Sequence, residues 1–435
     1  MTFSRRTLLA ASFAATAAAV ARAATAARVP TSPEVPPDFT GLSFETAELL
    51  SGSLLTPANT SLIALVRRLG RRGVIRLGGN SSDRDRDRVH PSAAAIAALA
   101  GFLRATGWSL IYGLDLGHGT PSEAAEEAAT VAEAAGPALI AFQIGNEPDL
   151  FARSGLRPPH WGFRQYLATW ERLAAAVRAK VPAARFAGPD IAVRGSWMLP
   201  FATRARPRPA LLTRHFYAEG PASSPSVTIP RLLDTDPGLN GTLDPTEAAA
   251  RATGLPLRMS ETNSVYDHGR PGVSDTLAAA TWGANLMFSL AARGWAGVNF
   301  HDGPGRPYTP IGRSSPLARP LYYGMLFFAA ALPRRVALFP SLWPLAAYRI
   351  EGTDARTRLA LLNLDPSVLT ARTLPAGVAA VSLLRLAAPQ PSSSSVTLGG
   401  ATVSDDGAWR PRLEHPAPGS PILLPSAAAV LVELS

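Results

Sequence analysis

The sequence predicts an α/β fold, a (β/α)8 TIM barrel followed by a C-terminal β-sandwich domain. Between residues 39 and 334, eight short apolar runs alternate with longer stretches of helical periodicity. Such alternation indicates a parallel sheet, and eight strand-helix units close a barrel. After Pro333 the runs become short and alternating, and Gly, Pro, Ser and Asp separate them. This change predicts an antiparallel β-domain over residues 335–435.

The predicted barrel strands are the apolar runs, and each ends at or beside a polar residue or a glycine. They are Phe39–Glu45, Gly73–Gly79, Trp108–Leu116, Leu139–Asn146, Arg185–Asp190, Leu211–Tyr217, Leu257–Thr262 and Gly297–His301. Helical periodicity predicts helices at Pro91–Thr106, Pro121–Ala135, Trp161–Lys180 and Val273–Arg293. Residues 217–251 are rich in Pro, Ser and Asp, and this composition predicts a long loop. The β-domain strands are predicted at Ala346–Ile350, Arg358–Leu364, Ala379–Leu386 and Ala428–Leu434.

The first residues have the pattern of an export signal. Ser4-Arg5-Arg6-Thr7-Leu8-Leu9 is a twin-arginine pattern, an apolar stretch covers residues 8–21, and Ala21-Arg22-Ala23 is a small-x-small cleavage site. We therefore expect a twin-arginine signal peptide at residues 1–23 and a periplasmic or secreted protein with no transmembrane span. Residues 24–38 are predicted to be a linker or a strand of the β-domain.

Composition excludes several kinds of function. The chain has no cysteine, so disulfides, thiolate metal sites and a cysteine nucleophile are excluded. The net charge is +10, or +10 − 3 = +7 without the three arginines of residues 1–23, and the predominance of arginine over lysine indicates base-composition bias. A basic surface would favour acidic polysaccharides or nucleic acid, but no patch of interleaved aromatic and basic residues predicts nucleic-acid binding. The run Asp83–Arg88, with alternating Asp and Arg, is interpreted as a solvated loop after the second strand. The oligomeric state is not predicted.

Two carboxylates stand where a barrel places its chemistry, at the C-terminal ends of strands. Glu147 follows the fourth predicted strand and Glu261 lies in the seventh. These strands lie on opposite sides of a barrel mouth, so the two side chains can face each other across a bound sugar. Glycoside hydrolysis needs such a pair, because one carboxyl protonates the leaving oxygen and the other carboxylate attacks the anomeric carbon. A single buried glutamate would more simply pair with an arginine.

Several motifs occur together in one order along the chain. They are Gly41-Leu42-Ser43-Phe44-Glu45, Arg76-Leu77-Gly78-Gly79, Gly145-Asn146-Glu147-Pro148-Asp149-Leu150, Ser260-Glu261-Thr262-Asn263-Ser264-Val265-Tyr266, Gly272-Val273-Ser274-Asp275-Thr276, Gly297-Val298-Asn299-Phe300-His301 and Pro320-Leu321-Tyr322-Tyr323-Gly324. This ordered set resembles glycoside hydrolase family 79, the heparanase and β-glucuronidase family of the Asn-Glu barrel clan.

The resemblance implies that Glu147 is the acid/base and Glu261 the nucleophile. It also implies that Asn146 binds the sugar 2-hydroxyl and that Arg76 and Tyr217 keep Glu261 ionised, although Arg76 could instead form a barrel-core ion pair. The predicted substrate-binding residues are Glu45, Arg76, Asn146, His215, Tyr217, Tyr266, His268, Asn299 and His301.

No cofactor and no metal are predicted. The spacings of His118, His215 and His301 match no zinc signature, and neither a phosphate loop nor a Gly-x-Ser-x-Gly elbow is present. The predicted partner is a glycoside, an oligosaccharide or a polysaccharide.

The sequence departs from the family after the nucleophile motif. Relatives there have a tyrosine and a run of glycines that receive the uronate carboxylate, whereas this chain continues from Tyr266 with Asp267-His268-Gly269. An ionised Asp267 would repel a uronate unless it faces solvent. A protonated His268 would offset that repulsion, and glucuronidase activity would then fall as the pH rises through about 6 to 7 and His268 loses its proton. Because the rest of the segment is retained, we still expect a retaining hydrolase of β-linked glycosides, specifically β-glucuronides. The alternatives are a retaining β-glycosidase for a neutral sugar of glucoside or xyloside type, and a non-catalytic carbohydrate-binding barrel.

Overall fold

The computed structural model describes residues 32–50, 52–84, 90–234, 241–303, 305–374 and 378–435. The predicted signal peptide and the first part of segment 24–38 lie outside these described residues. Within the described part of the chain, no helix is both long enough and apolar enough to cross a membrane.

Eight parallel strands close into a barrel in chain order from β1 to β8. They are β1 Thr40–Glu45, β2 Val74–Gly78, β3 Ser109–Leu114, β4 Leu139–Ile144, β5 Phe186–Ile191, β6 Leu211–Glu219, β7 Leu257–Val265 and β8 Gly297–His301. Every predicted barrel strand is present with its ends shifted by a few residues at most, so the predicted barrel is confirmed. The strands β2, β7 and β8 are buried along their whole length, as expected for a parallel sheet that is covered on both faces.

The described helices lie between the strands. They are α1 Ala47–Leu50, α2 Thr60–Leu69, α3 Ala93–Thr106, α4 Pro121–Ala135, α5 Phe163–Lys180, α6 Met198–Arg204, α7 Ile229–Asp234, α8 Asp244–Thr253, α9 Leu277–Ala292 and α10 Pro320–Ala330. Local sequence explains the sharpest boundaries. Thr120 and Glu123 form a reciprocal capping box at the start of α4, and Gly107 ends α3 in the left-handed conformation.

The prediction of a long loop over residues 217–251 was wrong. The strand β6 continues to Glu219, and the helices α7 and α8 occupy part of the segment. The helix signal of α8 is Pro245 in its first turn and Gly254 at its end, and the many polar residues around it obscured that signal.

The C-terminal part is an antiparallel β-domain. A six-stranded sheet has the order β14-β13-β16-β11-β10-β9, and a two-stranded sheet pairs β12 with β15. The strands are β9 Pro333–Leu338, β10 Leu345–Gly352, β11 Thr357–Asn363, β12 Thr370–Arg372, β13 Ala380–Ala387, β14 Thr397–Leu398, β15 Ile422–Leu424 and β16 Ala429–Leu434. The two sheets share one apolar cluster, which is consistent with the predicted sandwich.

The other face of the six-stranded sheet packs on the barrel. The Tyr348 hydroxyl donates to Asn285 of α9 at 2.8 Å, and the Thr281 hydroxyl donates to the Ala427 carbonyl at 2.6 Å. Ahead of the barrel, Glu34 forms an isolated antiparallel bridge with Arg335. The β-domain therefore lies against the α9 side of the barrel and contacts the segment that leads into β1.

Candidate active site

The two predicted catalytic carboxylates meet at the mouth of the barrel. One carboxylate oxygen of Glu147, one of Glu261 and a ring nitrogen of His215 all lie within 4.8 Å of one another. Glu261 is buried within β7, whereas Glu147 follows β4 and keeps 15% of its side chain exposed. The barrel therefore brings together the two groups that the sequence places 114 positions apart.

A strained turn aims Glu147 into the mouth. Gly145 has a φ of 88° and Glu147 a φ of 50°, which is uncommon for a residue with a Cβ atom. The Glu147 N–H donates to the Asp190 carbonyl at 3.0 Å, and the Asp149 carboxylate accepts from the backbone N–H groups of residues 192–194. These contacts hold a backbone conformation that would otherwise be unfavourable.

Glu261 lies among positive groups. Arg76 Nη1 is 2.6 Å from its Oε2, and the Tyr217 hydroxyl donates to its Oε1 at 2.8 Å. His301 Nδ1 and His215 Nδ1 lie 3.6 and 3.9 Å from its oxygens. Burial by itself raises the pKa of Glu261, but the two histidines, Arg76 and the tyrosine hydrogen bond outweigh burial and hold that pKa well below its usual range.

Arg76 uses its whole guanidinium inside the protein. It donates to Gln143 at 2.9 Å, Ser43 at 3.2 Å, Glu261 at 2.6 Å, Asn146 at 2.8 Å and Asp190 at 2.7 Å. Its pKa is raised, because Asp190 and Glu261 more than compensate for the opposing effect of burial. The two interpretations offered by the sequence thus coincide, since Arg76 is a barrel-core ion pair that also orients the Glu261 carboxylate.

His215 connects Glu147 to the core of the barrel. Its Nδ1 is 2.9 Å from Glu147 Oε1, and its Nε2 is 3.0 Å from Asp190 Oδ2. Burial by itself lowers the pKa of His215, but the negative charges of Asp190 and Glu261 outweigh burial and raise that pKa to about 10. The raised pKa favours the protonated ring. Its Nδ1 is hydrogen-bonded to Glu147, whereas its Nε2 faces Asp190 as a close ion pair without hydrogen-bond geometry.

Asp190 is a site residue that the sequence analysis did not include. It is fully buried at the end of β5 with a φ of 58°, and it contacts Arg76, His215 and the Ser260 hydroxyl. Burial raises the pKa of Asp190, but His215 and Arg76 lower it more. A carboxylate at the C-terminal end of an otherwise apolar strand was the available signal.

Asn146 is held from three sides at the end of β4. Its side-chain oxygen accepts from Arg76 at 2.8 Å, its amide nitrogen is 3.4 Å from Asn80 Oδ1, and its backbone N–H donates to Asp83 at 2.5 Å. Asp83 is 1% exposed, so the interpretation of this residue as part of a solvated loop was wrong. Residues 85–89 of the alternating run lie outside the described residues.

Glu45 has fewer groups free for a sugar than the sequence suggested. Its carboxylate accepts from the backbone N–H groups of Asn80 and Ser81 and from the Ser81 hydroxyl, at 2.5–3.1 Å. Its Oε1 is 3.7 Å from His301 Nε2, and 25% of its side chain is exposed. Glu45 and His301 therefore lie at one side of the mouth, where Glu45 also anchors the loop after β2.

The segment after β7 lies at the rim. Tyr266 is 41% exposed, and a Cβ atom at Gly220 would lie 2.2 Å from the Tyr266 ring. Asp267 and His268 are exposed and have φ values of 60° and 75°, a conformation in which glycine costs least. A Cβ atom at Gly269 would lie 2.8 Å from the backbone nitrogen of Tyr308, so this segment packs against the loop after β8.

Asn299 does not reach the mouth. Its side chain accepts from Arg258 Nε at 2.6 Å and donates to the carbonyls of Leu42 and Val74 at 3.0 and 2.9 Å. Arg258 also bonds to the carbonyls of residues 38, 39 and 296, which lie at the N-terminal ends of strands. The structure therefore corrects the prediction for Asn299, because its side chain faces the floor of the barrel.

His301 and Tyr308 complete the wall beside Glu261. His301 Nδ1 is 3.3 Å from the Ser43 hydroxyl, and its ring centre is 6.0 Å from that of Tyr308. Burial, and then Glu261, raise the pKa of Tyr308 far above its usual value. Tyr308 was missed because it follows β8 by several residues, where no motif marked it.

A metal ion is the other occupant that such a cluster could hold. Glu147, His215 and Glu261 each offer one ligand atom. A histidine binds a metal through an unprotonated nitrogen, and both ring nitrogens of His215 face carboxylates, Nδ1 at 2.9 Å from Glu147 and Nε2 at 3.0 Å from Asp190. The cluster as it stands suits charged hydrogen bonding better than metal ligation.

Curated relatives match about half of the chain, while no family model matches it. A β-glucuronidase of Neurospora crassa is 29% identical over 286 residues, which cover 54% of this chain and 50% of that protein. A β-glucuronidase of Aspergillus niger is 27% identical over 299 residues, which cover 59% of this chain and 54% of that protein. The chain thus spans about half the length of these relatives.

A solved structure shares the fold over nearly the whole chain. The 4-O-α-L-rhamnosyl-β-D-glucuronidase from Fusarium oxysporum superposes with a TM-score of 0.75 and 21% identity, covering 93% of this chain and 99% of that one. The barrel and the β-domain therefore occur together in that protein as they do here. The relatives named β-glucuronidase agree with the resemblance that the ordered motifs indicate, and the shared fold agrees with the predicted barrel and β-domain.

Proposed function

We propose that this protein is a retaining glycoside hydrolase that acts on β-linked glycosides, with Glu147 as acid/base and Glu261 as nucleophile. The observation that supports this most directly is the separation of the two carboxylates, whose oxygens approach within 4.8 Å. Retaining enzymes hold their two carboxyl groups about 5–5.5 Å apart, whereas inverting enzymes leave roughly 6.5–9.5 Å for a water molecule.

The surroundings of Glu261 suit its proposed role as the nucleophile. Glu261 is kept ionised by Arg76 and two histidines, so its oxygen can attack the anomeric carbon and form a covalent glycosyl-enzyme. In the first step Glu147 gives its proton to the glycosidic oxygen. His215 Nδ1 lies 2.9 Å from its Oε1, and Arg84 lies 4.0 Å from its Oε2. The departing group leaves as an alcohol.

The second step hydrolyses the glycosyl-enzyme, and Glu147 now acts as a base instead of an acid. Glu147, now ionised, takes a proton from a water molecule while the water oxygen attacks the anomeric carbon. The bond to Glu261 breaks, its electron pair returns to the carboxylate, and a sugar of retained β configuration is released.

We further propose that the sugar is a β-glucuronide. Relatives named β-glucuronidase support this. Asp267 is exposed, so it can face solvent and leave a uronate undisturbed. Burial, and then nearby Arg306, lower the pKa of His268, which weakens its ability to offset the charge of a uronate. Arg306 is a second basic residue near this rim.

A neutral sugar is the second candidate. Asp267 and His268 carry side chains at positive φ, where the family resemblance implies glycines that leave room for a carboxylate. This departure is the specific observation that favours a glucoside or xyloside. A carbohydrate-binding barrel without turnover is the remaining alternative, and an activity assay separates it from both.

The test is a set of aryl β-glycosides that share one leaving group and differ at C5. We expect kcat/KM for the glucuronide to exceed that for the glucoside and the xyloside between pH 4 and 8. Arg306→Gln should reduce this preference, whereas Arg172→Gln, on the exposed face of α5, should not. A preference for the glucoside that Asp267→Gly reverses would establish the neutral-sugar candidate, and no turnover of any substrate would support the binding protein.

Proton NMR during the reaction tests the stereochemistry. The β-anomer of the free sugar should appear first and then mutarotate, because two inversions at the anomeric carbon restore the β configuration. Initial release of the α-anomer would contradict retention.

Export through the twin-arginine route also belongs to the proposal, although the segment that carries it lies outside the described residues.

A further inference from the structure

The alternating run that begins at Asp83 starts inside the active site. Asp83 ends a short 3-10 turn over Asn80–Ser82 and is 1% exposed. Burying a carboxylate is costly unless hydrogen bonds compensate for the lost water. Its contacts therefore indicate what the residue does.

Asp83 accepts three backbone hydrogen bonds from two different loops. Its Oδ1 accepts from the N–H groups of Leu116 and Gly117, at 2.7 and 2.8 Å, in the loop after β3. Its Oδ2 accepts from the N–H of Asn146 at 2.5 Å, at the end of β4. One side chain thus ties the loop after β2 to the loop after β3 and to the residue that precedes Glu147.

The loop after β3 is a firm anchor for this contact. Arg157 donates to the Gly117 and Leu116 carbonyls at 2.7 and 2.9 Å, so the same two residues are also held through their carbonyl groups. A Cβ atom at Gly117 would lie 2.2 Å from the Asp83 carbonyl, which shows how closely the two loops approach. Movement of Asp83 relative to this turn would break several bonds at once.

The backbone of Glu147 is then fixed at two consecutive N–H groups. The Asn146 N–H donates to Asp83, and the Glu147 N–H donates to the Asp190 carbonyl at 3.0 Å. Because Glu147 has a φ of 50°, its side-chain direction depends on external contacts rather than on its own preferred conformation. Asp83 supplies the contact at Asn146, the residue that immediately precedes Glu147.

We propose that Asp83 is a positioning residue for the acid/base, and this inference rests on the proposed function. It acts through the Asn146 peptide group and touches neither the sugar nor the reacting atoms. An asparagine at this position fills the same space but cannot replace a carboxylate, because it has only one acceptor oxygen. If that oxygen faces Leu116 and Gly117, the amide NH2 faces the Asn146 N–H, donor against donor.

The expected effect depends on the leaving group. A misplaced Glu147 transfers its proton poorly, which slows substrates that need protonation and spares those with an activated leaving group. A loss of folded protein would instead reduce both rates equally. The ratio of the two rates therefore separates positioning from simple destabilisation.

The experiment measures kcat and KM of the wild type, Asp83→Asn and Asp365→Asn on 2,4-dinitrophenyl and phenyl β-glycosides of the preferred sugar. Asp365 is the matched control, since its carboxylate also accepts two backbone N–H groups, at 2.7 and 3.0 Å, but lies in the β-domain. We expect Asp83→Asn to lower kcat on the phenyl glycoside at least about tenfold more than on the dinitrophenyl glycoside, within the range of general acid catalysis. Asp365→Asn should leave the ratio unchanged.

Two other outcomes are informative. Equal losses on both substrates, with a lowered melting temperature, would overturn the positioning role and leave Asp83 a structural residue. A wild type that hydrolyses neither substrate would refute the proposed function itself, which distinguishes that failure from a failure of the inference.

Discussion

Replacing Arg76 by methionine removes the cation that orients the proposed nucleophile while keeping a side chain of similar length. Arg76 is fully buried and forms ion pairs with Asp190 at 2.7 Å and Glu261 at 2.6 Å. Removing one partner of a buried pair costs about 3–5 kcal/mol, because the other charge stays buried without compensation. Here two carboxylates lose a partner, so we expect the free energy of unfolding to fall by at least about 3 kcal/mol.

The sign of the pH dependence follows from Glu261. Its pKa is lowered in the folded protein, so the stability it contributes is present above its ordinary pKa of about 4.3 and is lost as the pH falls through the lowered value. Arg76→Met raises the pKa of Glu261 toward the ordinary value. The difference in stability between wild type and variant should therefore be largest near neutral pH and shrink in acid.

Urea unfolding from pH 3 to 7, followed by tryptophan fluorescence, measures this difference. The same variant should show the acidic limb of its kcat/KM profile at higher pH than the wild type, because Glu261 must be ionised to attack. Arg172→Met, on the exposed face of α5, is the control and should change neither quantity measurably. A loss below about 1 kcal/mol for Arg76→Met, as for a surface pair, would refute the account of this network.

Further predictions concern the two carboxylates, a second buried acid and export. Glu261→Ala should abolish turnover, and azide should restore it as an α-glycosyl azide; a β-azide would show that the roles are exchanged. Glu147→Ala should slow phenyl glycosides far more than dinitrophenyl glycosides, and equal losses would contradict its role as acid. Burial raises the pKa of Asp302 to about 8, so it binds a proton in the folded state between about pH 4 and 8 that the unfolded state lacks. As the pH rises through that window, the free energy of unfolding should therefore fall in the wild type and fall less in Asp302→Asn, which urea titrations at each pH would measure. A reporter fused after residue 30 should be exported, and Arg5-Arg6 replaced by Lys-Lys should block it; unchanged export would indicate another route.

Strand positions and the carboxylate pair could be predicted because they depend on local sequence. Apolar runs that end in polar groups mark parallel strands, and barrel closure then places the end of β4 opposite the end of β7. Glu147 and Glu261 follow from that geometry, and the surrounding motifs specify their roles. The two helices within residues 217–251 were missed because their short apolar faces are embedded in polar, proline-rich sequence.

Side-chain direction could not be predicted from strand position alone. Asn299 and His301 lie two residues apart on β8, yet Asn299 bonds to Arg258 near the barrel floor while His301 faces Glu261. Depth along the strand decides this difference, and it becomes visible only once the neighbouring strands are in register. Asp83 was misjudged for a related reason. A run of charged residues usually indicates a solvent-exposed loop, whereas the Asp83 carboxylate accepts hydrogen bonds from three backbone N–H groups that are distant in sequence.

Trapping the covalent intermediate tests the central claim most directly. A 2-deoxy-2-fluoro glycoside of the preferred sugar with a dinitrophenyl leaving group should inactivate the enzyme, because the fluorine slows release of the glycosyl-enzyme more than its formation when the leaving group is activated. Peptide mass spectrometry should then find one fluoroglycosyl group on Glu261. An adduct on Glu147, or continued turnover with no adduct on either carboxylate, would contradict the account.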